Sequence, residues 1–114
     1  VFKGQISHQG ALKWMRGAEA LLFTIRRPEV CPMVVGEALA CGTPVIGTCV
    51  QPLPEMLRNK KTSFLSDKKS DLIRAIQNIE QFDRRECRKY AQDNFNSVEM
   101  AKKYLSLYEK IVNN

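Results

Sequence analysis

The stretch from Ala20 to Ile46 constrains the fold of this chain more than any other. Its first five residues form a continuous apolar run of the length of a buried strand. Pro32 is a favourable first residue for a helix, Gly42 is typical of the position just past a helix end, and Pro44 prevents continuation. The β-branched pair Val45-Ile46 then predicts a second buried strand. This order predicts a β-α-β unit with parallel strands.

Two glutamates, Glu29 and Glu37, lie inside this unit with seven residues between them. Glu37 is the only charged residue between Met33 and Cys41, so its carboxylate needs hydrogen-bond donors, and a bound polyol is one source of them. Glu29 lies in the loop after the first strand, where open α/β sheets place their ligands. The residues after Pro32 offer backbone N–H groups at a positive helix end, which favours anions. Because Val34-Val35-Gly36 are poor helix formers, a strand at this point is the alternative.

Length and composition limit the class of protein. The 114 residues, 44% of them apolar, are sufficient for one domain with a modest core. No apolar run approaches the roughly 20 residues that span a bilayer, and no signal-peptide pattern is present. The four cysteines lack C-x-x-C spacing and His8 is the only histidine, so no metal site is predicted. A reduced, cytoplasmic protein is expected, with Cys31, Cys41 and Cys49 packed as small hydrophobic side chains.

The net charge of +6 is unevenly distributed along the chain, because thirteen of the eighteen Lys and Arg residues follow Leu57. One interpretation is peripheral binding to an anionic membrane surface, at the inner face of the membrane. The other is that these side chains solvate the outer faces of the last helices, where acidic residues are interleaved. No nucleic-acid partner is expected, since neither a base-reading motif nor regular aromatic interleaving accompanies the charge.

The sequence around the two glutamates resembles a known signature. Glu29, the seven-residue spacing, Glu37 and the run Ala40-Cys41-Gly42-Thr43-Pro44-Val45-Ile46 match, position by position, the donor-binding signature of retaining glycosyltransferases of the GT-B fold. This group 1 glycosyl transferase family includes many hexosyltransferases of cell-envelope glycan synthesis. The resemblance covers nearly the whole chain. It implies an α/β fold, with a partial Rossmann-like parallel sheet flanked by helices and a helical C-terminal end.

The resemblance also implies a domain and an activity. Residues 1–114 would be a C-terminal nucleotide-sugar-binding domain, truncated on its N-terminal side, whose partners are the missing N-terminal acceptor domain and a UDP- or GDP-linked sugar. The implied reaction is retaining hexosyl transfer to a glycan or lipid-linked acceptor in cell-envelope polysaccharide or glycolipid synthesis, without a cofactor. In relatives an Arg and a Lys that neutralise the departing diphosphate lie upstream, so the isolated chain is expected to be inactive.

By the same resemblance, Glu29 is the candidate catalytic residue, because it would contact hydroxyls of the transferred sugar near the reacting carbon. Glu37 would accept hydrogen bonds from the ribose hydroxyls of the nucleotide. Gly4 would approach the nucleotide, and Arg26 or Arg27 would either neutralise the diphosphate or form a salt bridge with Glu29. The residues implied to hold the donor sugar and the diphosphate are Glu29, Val30, Cys31, Met33 and Val34.

The match loosens after Thr48. Relatives usually carry a Gly pair or Gly-Ser ahead of a Pro-Glu step, where this chain has Gln51 and Pro52. Lys60 and Ser63 also stand where glycines are usual. These departures support an alternative function, a non-catalytic nucleotide-binding or protein-interaction remnant of such an enzyme. A basic peripheral-membrane module is the third interpretation.

The flanking segments predict further elements. Residues 2–6 have the pattern of a strand, Ser7 is expected to cap the helix that follows, and Trp14 is expected to pack that helix against the protein. The last helix has an apolar stripe that, in full-length relatives, crosses back to the other domain. The residues predicted to begin the C-terminal helices are Ser70, Asp83 and Ser97.

Overall fold

The computed structural model describes residues 1–114 as a three-stranded parallel sheet flanked by helices, which confirms the predicted α/β class. The strands, in sheet order, are β1 (Leu21–Phe23), β2 (Val45–Gly47) and β3 (Ser63–Leu65). The helices are α1 (His8–Gly17), α2 (Met33–Ala40), α3 (Leu53–Met56), α4 (Lys69–Gln77), α5 (Arg84–Asn94) and α6 (Ser97–Val112), with a 3₁₀ turn at Ile79–Gln81.

The β-α-β unit forms as predicted, with α2 between the parallel strands β1 and β2. The helix begins at Met33, so Pro32 is the N-cap of α2 rather than the first helical residue that the sequence predicts. At the other end, the N–H groups of Gly42 and Thr43 donate to the carbonyls of Leu39 and Ala38, both at 2.8 Å. Gly42 has φ +78°, which a residue without a Cβ adopts freely. The turn therefore requires the glycine that the sequence places there.

The main core lies between α2, α5 and the sheet. Residues one helical turn apart face inward from both helices, since a spacing of four places side chains on one face. The fully buried apolar side chains of this core are Val35, Ala38 and Leu39 of α2, Val45 of β2, Leu53 of α3 and Cys87 of α5. Ile46 of β2 is also fully buried, but it belongs to a second, smaller cluster with Ala75 and Phe82. The opposite side of α2 is free to carry the polar side chain of Glu37.

Two expectations for the first residues are wrong. Residues 1–7 form no strand, and both Val1 and Phe2 are almost fully exposed. β1 pairs only with β2, and residues 1–7 do not pair with its free outer edge, so their backbone groups make no strand hydrogen bonds. Ser7 does cap α1 by accepting the N–H of Gly10 at 3.1 Å. Trp14 is not a packing residue, because 56% of it is exposed.

Two of the three predicted C-terminal helix starts shift by one or two residues. Ser70 lies inside α4, whose N-cap is Lys68, and the hydroxyl of Ser66 accepts the Lys68 N–H. Asn96 rather than Ser97 caps α6, with its side-chain oxygen 2.8 Å from the N–H of the third helical residue. Of these two helices only α6 has a capping side chain, because Lys68 makes no side-chain hydrogen bond to the start of α4. The α6 cap comes from the extended residue before the helix, as the geometry of a cap requires.

Helix α6 carries the predicted apolar stripe but packs it against nothing in this chain. None of its residues is buried. The large apolar side chains, each at least half exposed, are Val98, Met100, Tyr104, Leu105, Leu107, Tyr108, Ile111 and Val112. None of the helices combines the length and apolarity needed to cross a membrane.

Deleting α6 is therefore expected to leave the stability of the remaining domain nearly unchanged. A chain ending at Asn96 should keep its free energy of unfolding within about 0.5 kcal/mol, because only exposed side chains are removed. Urea denaturation of both chains measures the difference. Leu39→Ala in the full chain is the reference for core loss, with an expected cost of about 2–5 kcal/mol. If truncation lowered the free energy of unfolding by that amount, α6 would have to pack against the rest of the domain, which would contradict this prediction.

Burial of Cys87 predicts a pH-dependent stability. Desolvation raises the pKa of this thiol from 9.0 to about 11. The folded state therefore favours the neutral thiol, a contribution that is complete below pH 9 and is lost as the pH rises from 9 towards 11. Urea denaturation at those two pH values should show a larger fall in the free energy of unfolding for the native chain than for Cys87→Ala. If the free energy of unfolding fell equally in both chains, groups other than Cys87 would be responsible for the loss.

Candidate functional site

Two loops meet at the carboxyl edge of the sheet. The first follows β1 and contains Glu29, and the second follows β2. The hydroxyl of Thr48 donates to the carbonyl of Ile25 at 2.6 Å, and the N–H of Glu29 donates to the carbonyl of Gln51 at 3.1 Å. Position 51 thus anchors the Glu29 loop through its backbone, which any side chain allows. The departure from glycine at this position does not disturb that anchor.

A cluster of unused backbone donors lies between the two glutamates. The N–H groups of Val30, Cys31, Met33 and Val34 donate to no acceptor within the protein. Pro32, the N-cap, provides no side-chain hydrogen bond to the helix start. The amino end of α2 therefore presents free N–H groups and the positive end of the helix dipole. An anionic group such as a diphosphate is the chemistry that such an end binds.

Glu37 lies one turn into α2 and faces the start of α1. Its side chain is 30% exposed, and its Oε1 lies 3.8 Å from Nδ1 of His8. That separation is too long for a hydrogen bond, so the carboxylate oxygens remain able to accept from a ligand. Met33 precedes Glu37 by four residues, so the free helix start and the carboxylate share one face of α2.

The Glu29 side chain is exposed and belongs to none of the ion pairs of the structure. Arg26 and Arg27 are exposed as well and are likewise unpaired. The salt bridge proposed for them from sequence is therefore not formed. Gly4 has φ +65°, a conformation suited to glycine, and lies in the irregular segment before α1.

The thiols of Cys31 and Cys49 are exposed, so the expectation that they pack as small hydrophobic groups is wrong. Loop residues have few neighbours to cover them, and only Cys87 is buried.

A groove lies beside the candidate site, and Val30 and Cys31 contribute to its wall. The groove has a volume of about 410 Å³ and is lined by Val30, Cys31, Pro52, Glu55, Met56, Arg58, Tyr90, Asn94, Phe95 and Lys103.

Sequence reasoning missed His8 and Thr48 as parts of this site. Thr48 connects the two loops, and His8 is the neighbour of Glu37. The only sequence signal for His8 is its place directly after the capping Ser7, which puts it at an exposed helix start. Nothing local indicates that this helix start lies beside α2.

Comparison with known proteins identifies the family. The sequence profile described as Glycosyl transferases group 1 matches residues 1–94. The chain belongs to this family. The match includes both glutamates and the free amino end of α2, and it ends at the last residue of α5. Among curated proteins, no sequence matches significantly.

Known structures share the fold of this group 1 glycosyl transferase chain. Six chains of solved structures match it. One is a sucrose-phosphate synthase from Thermosynechococcus elongatus, with a TM-score of 0.74 and 24% sequence identity. The match covers 99% of this chain and 30% of the synthase chain. The present chain thus spans less than a third of that relative, and α6 is part of the shared structure.

Proposed function

We propose that this chain is the donor-binding part of a retaining glycosyltransferase that uses a nucleotide sugar. Membership of the group 1 glycosyl transferases supports transfer of a sugar. The observation that carries the proposal is the free amino end of α2, flanked by Glu29 and Glu37. Unused N–H donors suit a diphosphate, and two open carboxylates suit hydroxyl groups on either side of it.

In this proposal each group has a separate task. The N–H groups of Val30, Cys31, Met33 and Val34 hold the diphosphate, and they stabilise the charge that develops on it when the bond to the sugar breaks. Glu29 holds hydroxyls of the transferred sugar and so fixes its reacting carbon against the acceptor. Glu37 accepts hydrogen bonds from the ribose diol. No cofactor takes part, and the unpaired Arg26 and Arg27 add positive charge near the leaving group.

The proposal also includes the acceptor side of the active site, which lies outside residues 1–114. The acceptor, a glycan or a lipid-linked sugar of a cell envelope, would bind an N-terminal domain across a cleft from Glu29. Residues 1–114 alone are expected to show no turnover with any nucleotide sugar, because cations that neutralise the leaving diphosphate are supplied from outside this segment. Transfer of a radiolabelled sugar above background by the isolated chain would contradict that expectation.

The test is a titration of the folded chain with UDP-glucose and GDP-mannose, followed through backbone amide NMR shifts. The proposal expects shifts that concentrate at residues 30, 31, 33 and 34, together with the amides around position 37. No shifts with either nucleotide sugar, or shifts spread evenly over the surface, would favour the non-catalytic remnant. A chain extended at its N-terminal side would then distinguish a decayed site from an incomplete one.

A further inference from the structure

The net positive charge of the chain is confined to three segments, residues 13–19, 58–62 and 83–89. Together they hold nine cations and three acids, a surplus of six that equals the net charge of the whole chain. The remaining residues hold nine cations and nine acids. The cations are Lys13, Arg16, Arg58, Lys60, Lys61, Arg84, Arg85, Arg88 and Lys89, and the acids are Glu19, Asp83 and Glu86.

The fold brings the three segments together at the start of α5. The guanidinium of Arg84 donates to the carbonyls of Arg16 at 2.8 Å and Ala18 at 2.7 Å. The N–H of Asp83 donates to the carbonyl of Lys61 at 2.8 Å. Because these residues precede β1 and β3, the cluster lies at the amino edge of the sheet. We call residues 13–19, 58–62 and 83–89 the amino-edge surface.

The positive charge of this surface is not neutralised within the chain. None of its nine cations takes part in an ion pair. Asp83 caps α5, as predicted, by accepting the N–H groups of Arg85 at 2.8 Å and Glu86 at 3.3 Å. One of the three acids is thus already engaged with backbone. Interleaved acids balance the charge elsewhere in the chain, but not at this edge.

An exposed indole lies within the same surface. Trp14 is 56% exposed and is the only tryptophan of the chain. With Lys13, Gly17 and Ala18 it lines a shallow hollow of about 420 Å³. Tryptophan side chains favour the interface between lipid and water, where the ring is apolar and its N–H stays hydrated. A basic surface with an indole at its margin matches the headgroup layer of an anionic bilayer.

We propose that the amino-edge surface binds anionic phospholipid, with Trp14 entering the headgroup layer. A nucleic acid fits less well, because single strands need several stacking aromatics along a basic groove and this surface exposes one. The candidate donor site lies at the carboxyl edge of the sheet, and of the nine cations only Arg58 also lines the groove beside it. The proposal does not depend on the proposed activity, since the two sites share no residue.

Vesicle binding tests the proposal with a pair of charge-matched variants. The surface variant carries Lys60→Gln, Lys61→Gln, Arg85→Gln and Lys89→Gln. The control variant carries Lys68→Gln, Lys69→Gln, Lys103→Gln and Lys110→Gln, which removes the same charge from the start of α4 and from α6. Both leave the ion pairs intact. Co-sedimentation with phosphatidylcholine vesicles, with and without phosphatidylserine, measures binding, and circular dichroism checks the fold of each variant.

The native chain should bind only the phosphatidylserine vesicles, and added salt should release it. The surface variant should bind at least about a hundredfold more weakly, whereas the control variant should bind nearly as the native chain does. The emission of Trp14 should shift to shorter wavelength on binding. Absence of binding at low salt, or equal losses in both variants, would overturn the proposal. Tighter binding to RNA or duplex DNA with unchanged Trp14 emission would assign the surface to nucleic acid instead.

Discussion

Glu37→Gln is expected to weaken the binding of UDP or GDP by about a hundredfold, because a charge-assisted hydrogen bond is worth about 1.5–3 kcal/mol and the carboxylate would make two to a ribose. The amide keeps the size of the side chain but accepts at one oxygen only. The Glu37 carboxylate makes no hydrogen bond within the protein, so the fold should not change. Loss of binding would then report on the ligand.

Calorimetric titration with intact nucleotides and with their 2′,3′-dideoxy forms gives the sharpest measurement. The native chain should favour the intact nucleotide strongly, whereas Glu37→Gln should bind both forms with similar, weak affinity. Glu109→Gln is the matched control, since Glu109 is an exposed carboxylate on α6 that takes part in no ion pair. If the native chain does not distinguish the two nucleotides, Glu37 does not hold the ribose. If Glu37→Gln and Glu109→Gln lose affinity equally, the effect is one of net charge.

The parts of the fold that depend on neighbouring residues were predictable from sequence. The end of α2 is the clearest case, because Gly42, Thr43 and Pro44 each exclude continuation of the helix for a separate local reason. The buried strands followed from short apolar runs, and their parallel pairing followed from the helix between them. The two glutamates were identified as a pair because they belong to this one local unit.

The parts that depend on distant contacts were not predictable. His8 reaches Glu37 only because α1 packs beside α2, and no residue near either one signals that contact. Residues 2–6 have the pattern of a strand, but a strand also needs a pairing partner, and these residues pair with no strand although the outer edge of β1 is free. The excess positive charge of the amino-edge surface could not be predicted from the sequence either, because it depends on contacts between distant segments. Its three segments are separated along the chain and are joined by hydrogen bonds of α5.

Gly47→Ala is expected to be the most destabilising single-methyl change in the sheet. Gly47 pairs with Phe23 on one side and Leu65 on the other. A Cβ at this position would lie 2.6 Å from the carbonyl oxygen of Phe23 and 3.3 Å from a methyl group of Leu53. The first contact is with backbone, which cannot rotate away as a side chain does. The expected cost is about 3 kcal/mol, at the upper end for overpacked cores.

Gly17→Ala is the matched control, because a Cβ at Gly17 meets nothing within 4 Å. At the end of α1 it should leave stability unchanged or raise it by up to about 1 kcal/mol, through better helix propensity. Urea denaturation of both variants measures the contrast. The strain at Gly47 should also separate β1 from β2. That separation would disturb the hydrogen bond from Thr48 to the carbonyl of Ile25 and so loosen the Glu29 loop. Nucleotide binding by folded Gly47→Ala should therefore fall as well. A free energy of unfolding equal to that of the native chain would contradict the prediction, because it would show that β1 moves away from the added methyl group at no energetic cost.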